Sequence, residues 1–174
     1  MTTPKANFAG LALIAVLCAG FILGLTACTD EADFNAGVAA YKRGDYATAL
    51  REWRPLAKQG NADAQYNLGN MYSEGKGVPQ DYPRAVGLWR KAAEQGYADA
   101  QYNLGFMYSM GRGVPQDRVQ AHMWFKLAAS RLPPGEKRDI AVKNRDIVTK
   151  RMTPAQISEA QKLAREWMEK RRGK

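Results

Sequence analysis

One eight-residue string occurs twice in this chain, and it limits the fold more than any other feature. Ala62-Asp63-Ala64-Gln65-Tyr66-Asn67-Leu68-Gly69 returns 36 positions later as Ala98-Asp99-Ala100-Gln101-Tyr102-Asn103-Leu104-Gly105. Carried further, 62–81 and 98–117 agree at 17 of 20 positions. The agreement includes Gly75 and Gly111, and the run Gly-Val-Pro-Gln-Asp at 77–81 and 113–117. A period of that length is the signature of a helical solenoid. One such unit cannot bury its apolar face alone, so neighbours stack and share a core.

The rest of the chain divides on the same pattern into helix pairs over 31–60, 61–96 and 97–131. In the first, Phe34, Val38 and Tyr41 lie along one side of a helix over 30–42. Gly44-Asp45 breaks it, and Asp45 can cap the next helix. Tyr46, Ala49, Leu50, Trp53 and Leu56 then recur at helical spacing as far as Gly60. The second unit carries Leu68, Gly69 and Tyr72 on its first helix and Ala85, Trp89, Ala92 and Ala93 on its second. The third repeats this with Ala121, Phe125, Ala128 and Ala129. The turn of the second unit is four residues longer than that of the first, because Gly69 to Ala85 spans 16 positions and Gly37 to Ala49 spans 12. Its two glycines suit positive φ, Pro79 stiffens the exit, and Asp81 can cap the following helix with Pro83 in the first turn.

The first pair, with Lys42-Arg43-Gly44-Asp45-Tyr46 at its turn, resembles a tetratricopeptide unit. Gly37 and Ala49 stand where two helices approach closely, and Trp53 stands where that family places a large aromatic. The later motif is Ala-x-Ala-Gln-Tyr-x-Leu-Gly-x-Met-Tyr, then Gly-x-Gly-Val-Pro-Gln-Asp, then Ala and an aromatic. It resembles the Sel-one-like repeat, a close relative of the tetratricopeptide repeat. The resemblance is strong over 62–131 and weak over 31–60. It implies an all-α, right-handed superhelical solenoid of antiparallel helix pairs, with the first helix of each pair lining a concave side. Matched position by position, that groove holds Phe34, Val38, Tyr41, Tyr66, Asn70, Ser73, Tyr102, Phe106, Ser109 and Met110. Such an aromatic, largely uncharged surface suits an extended peptide or a partner helix. The same side chains can instead pack against the adjoining repeat, since a tyrosine is amphipathic and serves either role.

Residues 132–174 read as two capping helices. Pro133-Pro134-Gly135 ends the third unit, and Ile140, Val142, Ile147 and Val148 are the apolar positions of the charged stretch that follows. Thr153-Pro154-Ala155-Gln156 is a capping box with proline at the first helical position. The last helix carries Ile157, Ala160, Leu163, Ala164 and Trp167. A solenoid needs an atypical terminal element with a polar outer face, which these helices supply. Met152 to Ile157 resembles the usual C-terminal ending of bacterial Sel-one-like proteins.

The N-terminus reads as an address. Lys5 is the one charged side chain of residues 1–7, and Phe8 to Ala27 contains no charge. That run is long enough to span a bilayer, for which about 20 apolar residues suffice. It also has the positive start, apolar middle and small-residue end of a secretory signal. Leu25-Thr26-Ala27-Cys28 resembles the lipobox of bacterial lipoproteins. The resemblance implies that 1–27 is a signal peptide, that 28–30 is the lipidated N-terminus and linker, and that Cys28 carries the lipid as a thioether. The other reading is an uncleaved signal anchor. In both, the folded part lies outside the cytoplasmic membrane, on the periplasmic or exterior side, and nucleic acid is not its partner despite a net charge of +9.

The chain offers no nucleophile constellation, and a paired-carboxylate hydrolase could be built only through contacts between distant repeats. Its single histidine, His122, sits beside Met123 and Trp124 on a repeat helix and reads as a solvent-edge structural residue. Asp63, Asp99, Asp81 and Asp117 recur at first-turn and capping positions. The glycine-rich turn lacks the Lys-Ser/Thr ending of a phosphate loop, and no strand precedes it. Neither a cofactor, a metal nor a small-molecule substrate is expected. Some cysteine-rich relatives of the family are linked to penicillin binding and hydrolysis, but this chain lacks their cysteine pairs. Residues 131–174 hold 13 Lys and Arg against 6 Asp and Glu, a surplus of +7, which either solvates a helix face or attracts an anionic surface. The reading these features support is a non-catalytic, membrane-anchored scaffold or adaptor that binds another envelope protein or peptide segment. The alternative is an envelope enzyme or cell-wall-binding factor, related to peptidoglycan or β-lactams, that uses the basic C-terminal region.

Overall fold

The computed structural model describes residues 30–172, which form eight α-helices and no strand. Helix α1 covers 30–42. It is followed by α2 (Tyr46–Gln59), α3 (Ala62–Glu74), α4 (Tyr82–Glu94), α5 (Ala98–Met110), α6 (Arg118–Arg131), α7 (Glu136–Thr149) and α8 (Pro154–Arg172). Each helix packs mainly on its sequence neighbour, except that α8 packs on α6. The signal-like run and Cys28 lie outside the described residues.

The caps expected from the sequence form. Asp45 accepts from the Thr48 amide, Asp81 from Arg84 and Asp117 from Gln120, at 2.8–3.1 Å. At α8 the capping box closes both ways, with Thr153 N donating to Gln156 Oε1 at 2.9 Å and Gln156 N donating to Thr153 Oγ1 at 3.3 Å. Each cap satisfies an amide that the helix cannot bond internally.

Within each pair, one glycine on the first helix receives one ring from the second. A Cβ built on Gly37 would stand 2.3 Å from the Trp53 indole, one on Gly69 2.5 Å from that of Trp89, and one on Gly105 2.7 Å from the Phe125 ring. The missing side chain is the space the ring fills. Trp53 Nε1 then donates to the Phe34 carbonyl at 3.2 Å, and Trp89 Nε1 to that of Tyr66 at 3.3 Å.

Between pairs, the long turn makes the joint. Gly77 (φ 70°) lies against Tyr46 at the start of α2, and Gly113 (φ 70°) against the backbone of Tyr82 at the start of α4. A Cβ at either would come within 2.6 Å of its neighbour. Val78 and Val114 enter the apolar clusters beside them. Lys76 lies over the Tyr46 ring and Arg112 over the Tyr82 ring. The four extra residues are thus a contact with the preceding unit. A buried glutamine adds a second tie: Gln65 Nε2 donates to the Ala57 carbonyl at 3.0 Å, and Gln101 Nε2 to that of Ala93 at 3.1 Å.

Helix α6 is buried on nearly every side, from Ala121 through Phe125 and from Leu127 to Ala129. Helices α5, α7 and α8 surround it. Helix α7 contributes Ala141 and Val148 to its inner side, against Ala128, Ala129 and Phe125. Helix α8 takes the other side, where Trp167 meets Trp124 edge-on and Ala164 joins the cluster of α4, α5 and α6. Arg171 at the end of α8 donates to the Glu94 and Gln95 carbonyls at the end of α4. The two terminal helices therefore brace α6 from different sides. This overturns the reading of His122 as a solvent-edge residue: it is 4% exposed, because α6 has no free edge there.

Candidate partner-binding groove

The inner helices α1, α3 and α5 carry the ten residues singled out for the groove, and they fall into three kinds. Phe34, Val38, Tyr41, Tyr66 and Tyr102 are half-buried and largely occupied with neighbours. Phe34 stacks on Trp53 at 6.1 Å. Val38 packs on the core of the first two units. Tyr41 leans on Trp53 and Tyr46, and its hydroxyl accepts from Lys76 Nζ at 2.9 Å. Tyr66 stacks on Tyr97 at 4.8 Å. Burial raises both phenols above their usual range, and the Asp63 carboxylate adds to the shift at Tyr97. Tyr102 lies on Phe125 at 5.6 Å, and its hydroxyl accepts from Asn144 Nδ2 of α7 at 3.0 Å.

Asn70 bonds neighbouring helices, and Ser73 and Ser109 bond their own. The Asn70 side-chain oxygen Oδ1 accepts from Trp89 Nε1 at 3.2 Å and from Asn103 Nδ2 at 3.4 Å. Ser73 donates to the Asn70 carbonyl, and Ser109 to that of Phe106. Only Phe106 and Met110 are open to solvent, at 40% and 53%.

The sequence reading ended the groove at α5, but α7 extends it. Ile140 and Ile147 of α7 are 38% and 44% exposed and face the same space. Two clefts result. One, of about 240 Å³, is lined by Tyr66, Asp99, Tyr102, Asn103, Leu132, Lys137 and Ile140, with Lys137 paired to Asp99 at 3.0 Å across it. The other, of about 170 Å³, lies among Phe106, Met110, Phe125, Ile147 and Val148, with Arg118 and Arg151 at its edge. The sequence marks Ile140, Val142, Ile147 and Val148 as apolar positions of this charged stretch, but not that the two isoleucines stand exposed while Val148 is buried.

His122 has no hydrogen-bond partner at Nδ1, nor has Trp124 at Nε1. Burial holds the imidazole below its ordinary pKa, with the Arg145 and Lys126 charges adding to the shift and Asp146 opposing it. Among the described residues, no three His, Cys, Asp or Glu side chains gather closely enough to hold a metal ion. No described helix is long and apolar enough to cross a membrane.

Residues 62–97 and 98–131 each match the Sel1 repeat family. Over 62–131 the chain is therefore a Sel1-like repeat protein. Sel1 repeats mediate protein–protein interactions, and their proteins are generally non-catalytic scaffolds. The Sel1-like repeat protein superimposes on a protective antigen of uropathogenic Escherichia coli strains that displays an SLR fold. The TM-score is 0.73 at 35% identity, over 80% of this chain and 30% of the antigen. A Sel1 repeat protein from Oxalobacter formigenes matches at TM-score 0.53 and 37% identity, over 55% of this chain and 39% of that one. An exopolysaccharide production negative regulator of Rhizobium leguminosarum bv. viciae is 40% identical over 48 residues, which is 28% of this chain and 18% of the regulator. The Sel1-like repeat protein thus spans well under half the length of these relatives.

Proposed function

We propose that the Sel1-like repeat protein is a non-catalytic scaffold held at the bacterial envelope by lipid on Cys28, and that it binds another envelope protein along the inner helices. The observation that carries the binding half is the apolar face of α5 and α7, where Phe106, Met110, Ile140 and Ile147 stand exposed among the described residues. The anchoring half rests on Leu25-Thr26-Ala27-Cys28 behind an uncharged run. More than one acyl chain makes a stable anchor, each buried methylene contributing about 0.8 kcal/mol.

Two measurements test this. Intact mass of the membrane-extracted protein should show residues 1–27 removed and acyl chains present, and Cys28→Ser should leave the precursor whole. A precursor of full length without lipid replaces the lipoprotein with a signal anchor. Crosslinking in the native envelope should then yield a protein partner. Co-sedimentation with purified cell wall, with no protein captured, would move the function to the basic C-terminal end.

A further inference from the structure

The second and third units differ at only three positions between 62–81 and 98–117: Asn70/Phe106, Glu74/Met110 and Lys76/Arg112. Two of the three exchange a polar side chain for a large apolar one, and both apolar side chains stand in solvent. Packing does not require them, since the second unit builds the same helix with asparagine and glutamate. Phe106 has one local reason: Asn70 accepts from Trp89, and the third unit has Phe125, which has nothing to donate. Met110 has none. Glu74 pairs with Lys76 at 2.7 Å, whereas Arg112 lies over Tyr82 without an acid beside it in the repeat.

Helix α7 meets this departure with a matching one. Phe106, Met110, Ile140 and Ile147 are the large apolar side chains that stand most open among the described residues, and all four border the inner side of α5 and α7. The cleft at Phe106 and Met110 has about 170 Å³, close to the roughly 150 Å³ of an apolar cavity that accepts one benzene ring. Arg118 and Arg151 edge it, no carboxylate lines it, and neither arginine is ion-paired with a described residue.

Building on the scaffold reading, we propose that this cleft docks a peptide segment of the partner that carries one aliphatic or aromatic anchor side chain flanked by carboxylates. The anchor fills the apolar floor and supplies the binding energy; the carboxylates meet the two arginines and speed encounter. A second copy of the chain suits the cleft poorly, because a net charge of +9 repels itself.

The test is to pan the full-length, detergent-solubilised protein against a random dodecapeptide display library. Wild type should enrich peptides with one Leu, Ile, Phe or Trp beside Asp or Glu. Phe106→Asn with Met110→Glu writes the second unit's residues into the third, so it should melt like wild type. It should weaken those peptides by about tenfold or more. Ile147→Ser, at an exposed position, is an independent second variant and should weaken them likewise. Arg118→Glu with Arg151→Glu should weaken them mainly at low salt. Selected peptides without acids, or acidic ones that bind these variants undiminished, overturn the proposal. So does a dimer that the Phe106 and Met110 changes dissolve. A partner crosslinked in the envelope whose capture survives the same changes leaves the scaffold standing and removes the cleft; failure to crosslink any protein removes both.

Discussion

A methyl group added at Gly69 would sit 2.5 Å from Trp89 Nε1, inside a contact that two helices need for their approach. Gly69→Ala should therefore cost about 1–3 kcal/mol, as overpacking does, read as a lower urea midpoint with helical content retained. His122 yields a second residue-scale expectation. Its pKa is depressed in the folded state, so the unfolded chain binds more protons between the folded value and about 6.5. The stability that follows from keeping the imidazole neutral is present above about pH 6.5 and is lost as pH falls through the folded value. Because it is the single histidine, His122→Gln should flatten that limb of a stability–pH profile. An unchanged limb would mean that other groups set it.

At the scale of the element, the turn is the informative piece. Its length, glycines and capping aspartate were legible in the sequence, because each answers a local backbone requirement. Its docking on the preceding unit was not, because that contact joins residues far apart in the chain. Gly113→Ala tests the contact: the residue adopts φ 70° and its Cβ would meet the Tyr82 backbone at 2.6 Å. The left-handed conformation alone costs about 1–2 kcal/mol, so the loss should exceed that of Gly44→Ala, where φ is 80° but nothing lies within 4 Å. Comparing the two thermal melts separates strain from contact. The same division explains the candidate site. The resemblance to the Sel-one-like repeat placed Tyr66, Tyr102 and Phe106 on inner helices, but a tyrosine ring reads alike whether it packs or waits for a partner. Helix α6 defeated the pattern in another way. Apolar on nearly every side, it gives no stripe to say which neighbour covers which face, and so His122 was misjudged.

Across the whole molecule, stability runs from one end to the other through nearest neighbours. Truncation after Ser130 would remove both braces of α6 and expose Trp124 and Val148's partner Phe125, along with Leu127. The shortened protein should melt lower or aggregate, and an unchanged melt would make 131–174 a mere tail. Arg171 lies at the far end of this brace, on the carbonyls of α4. Arg171→Ala should lower the melting temperature only slightly, since the arginine is exposed and screened by water.

The joint made by the turn also fixes how the molecule can grow. Gly77 on Tyr46 and Gly113 on Tyr82 are the same contact made twice, each between a unit and the one before it. A copy of residues 62–97 inserted after residue 97 would present the third unit with the surface it already fits, and would find its own fit behind it. The cleft at Phe106 and Met110 would then stand one unit farther from the N-terminus, unaltered in shape. Reach from the N-terminus to that cleft is therefore a countable quantity, lengthened in whole steps of 36 residues and never by fractions.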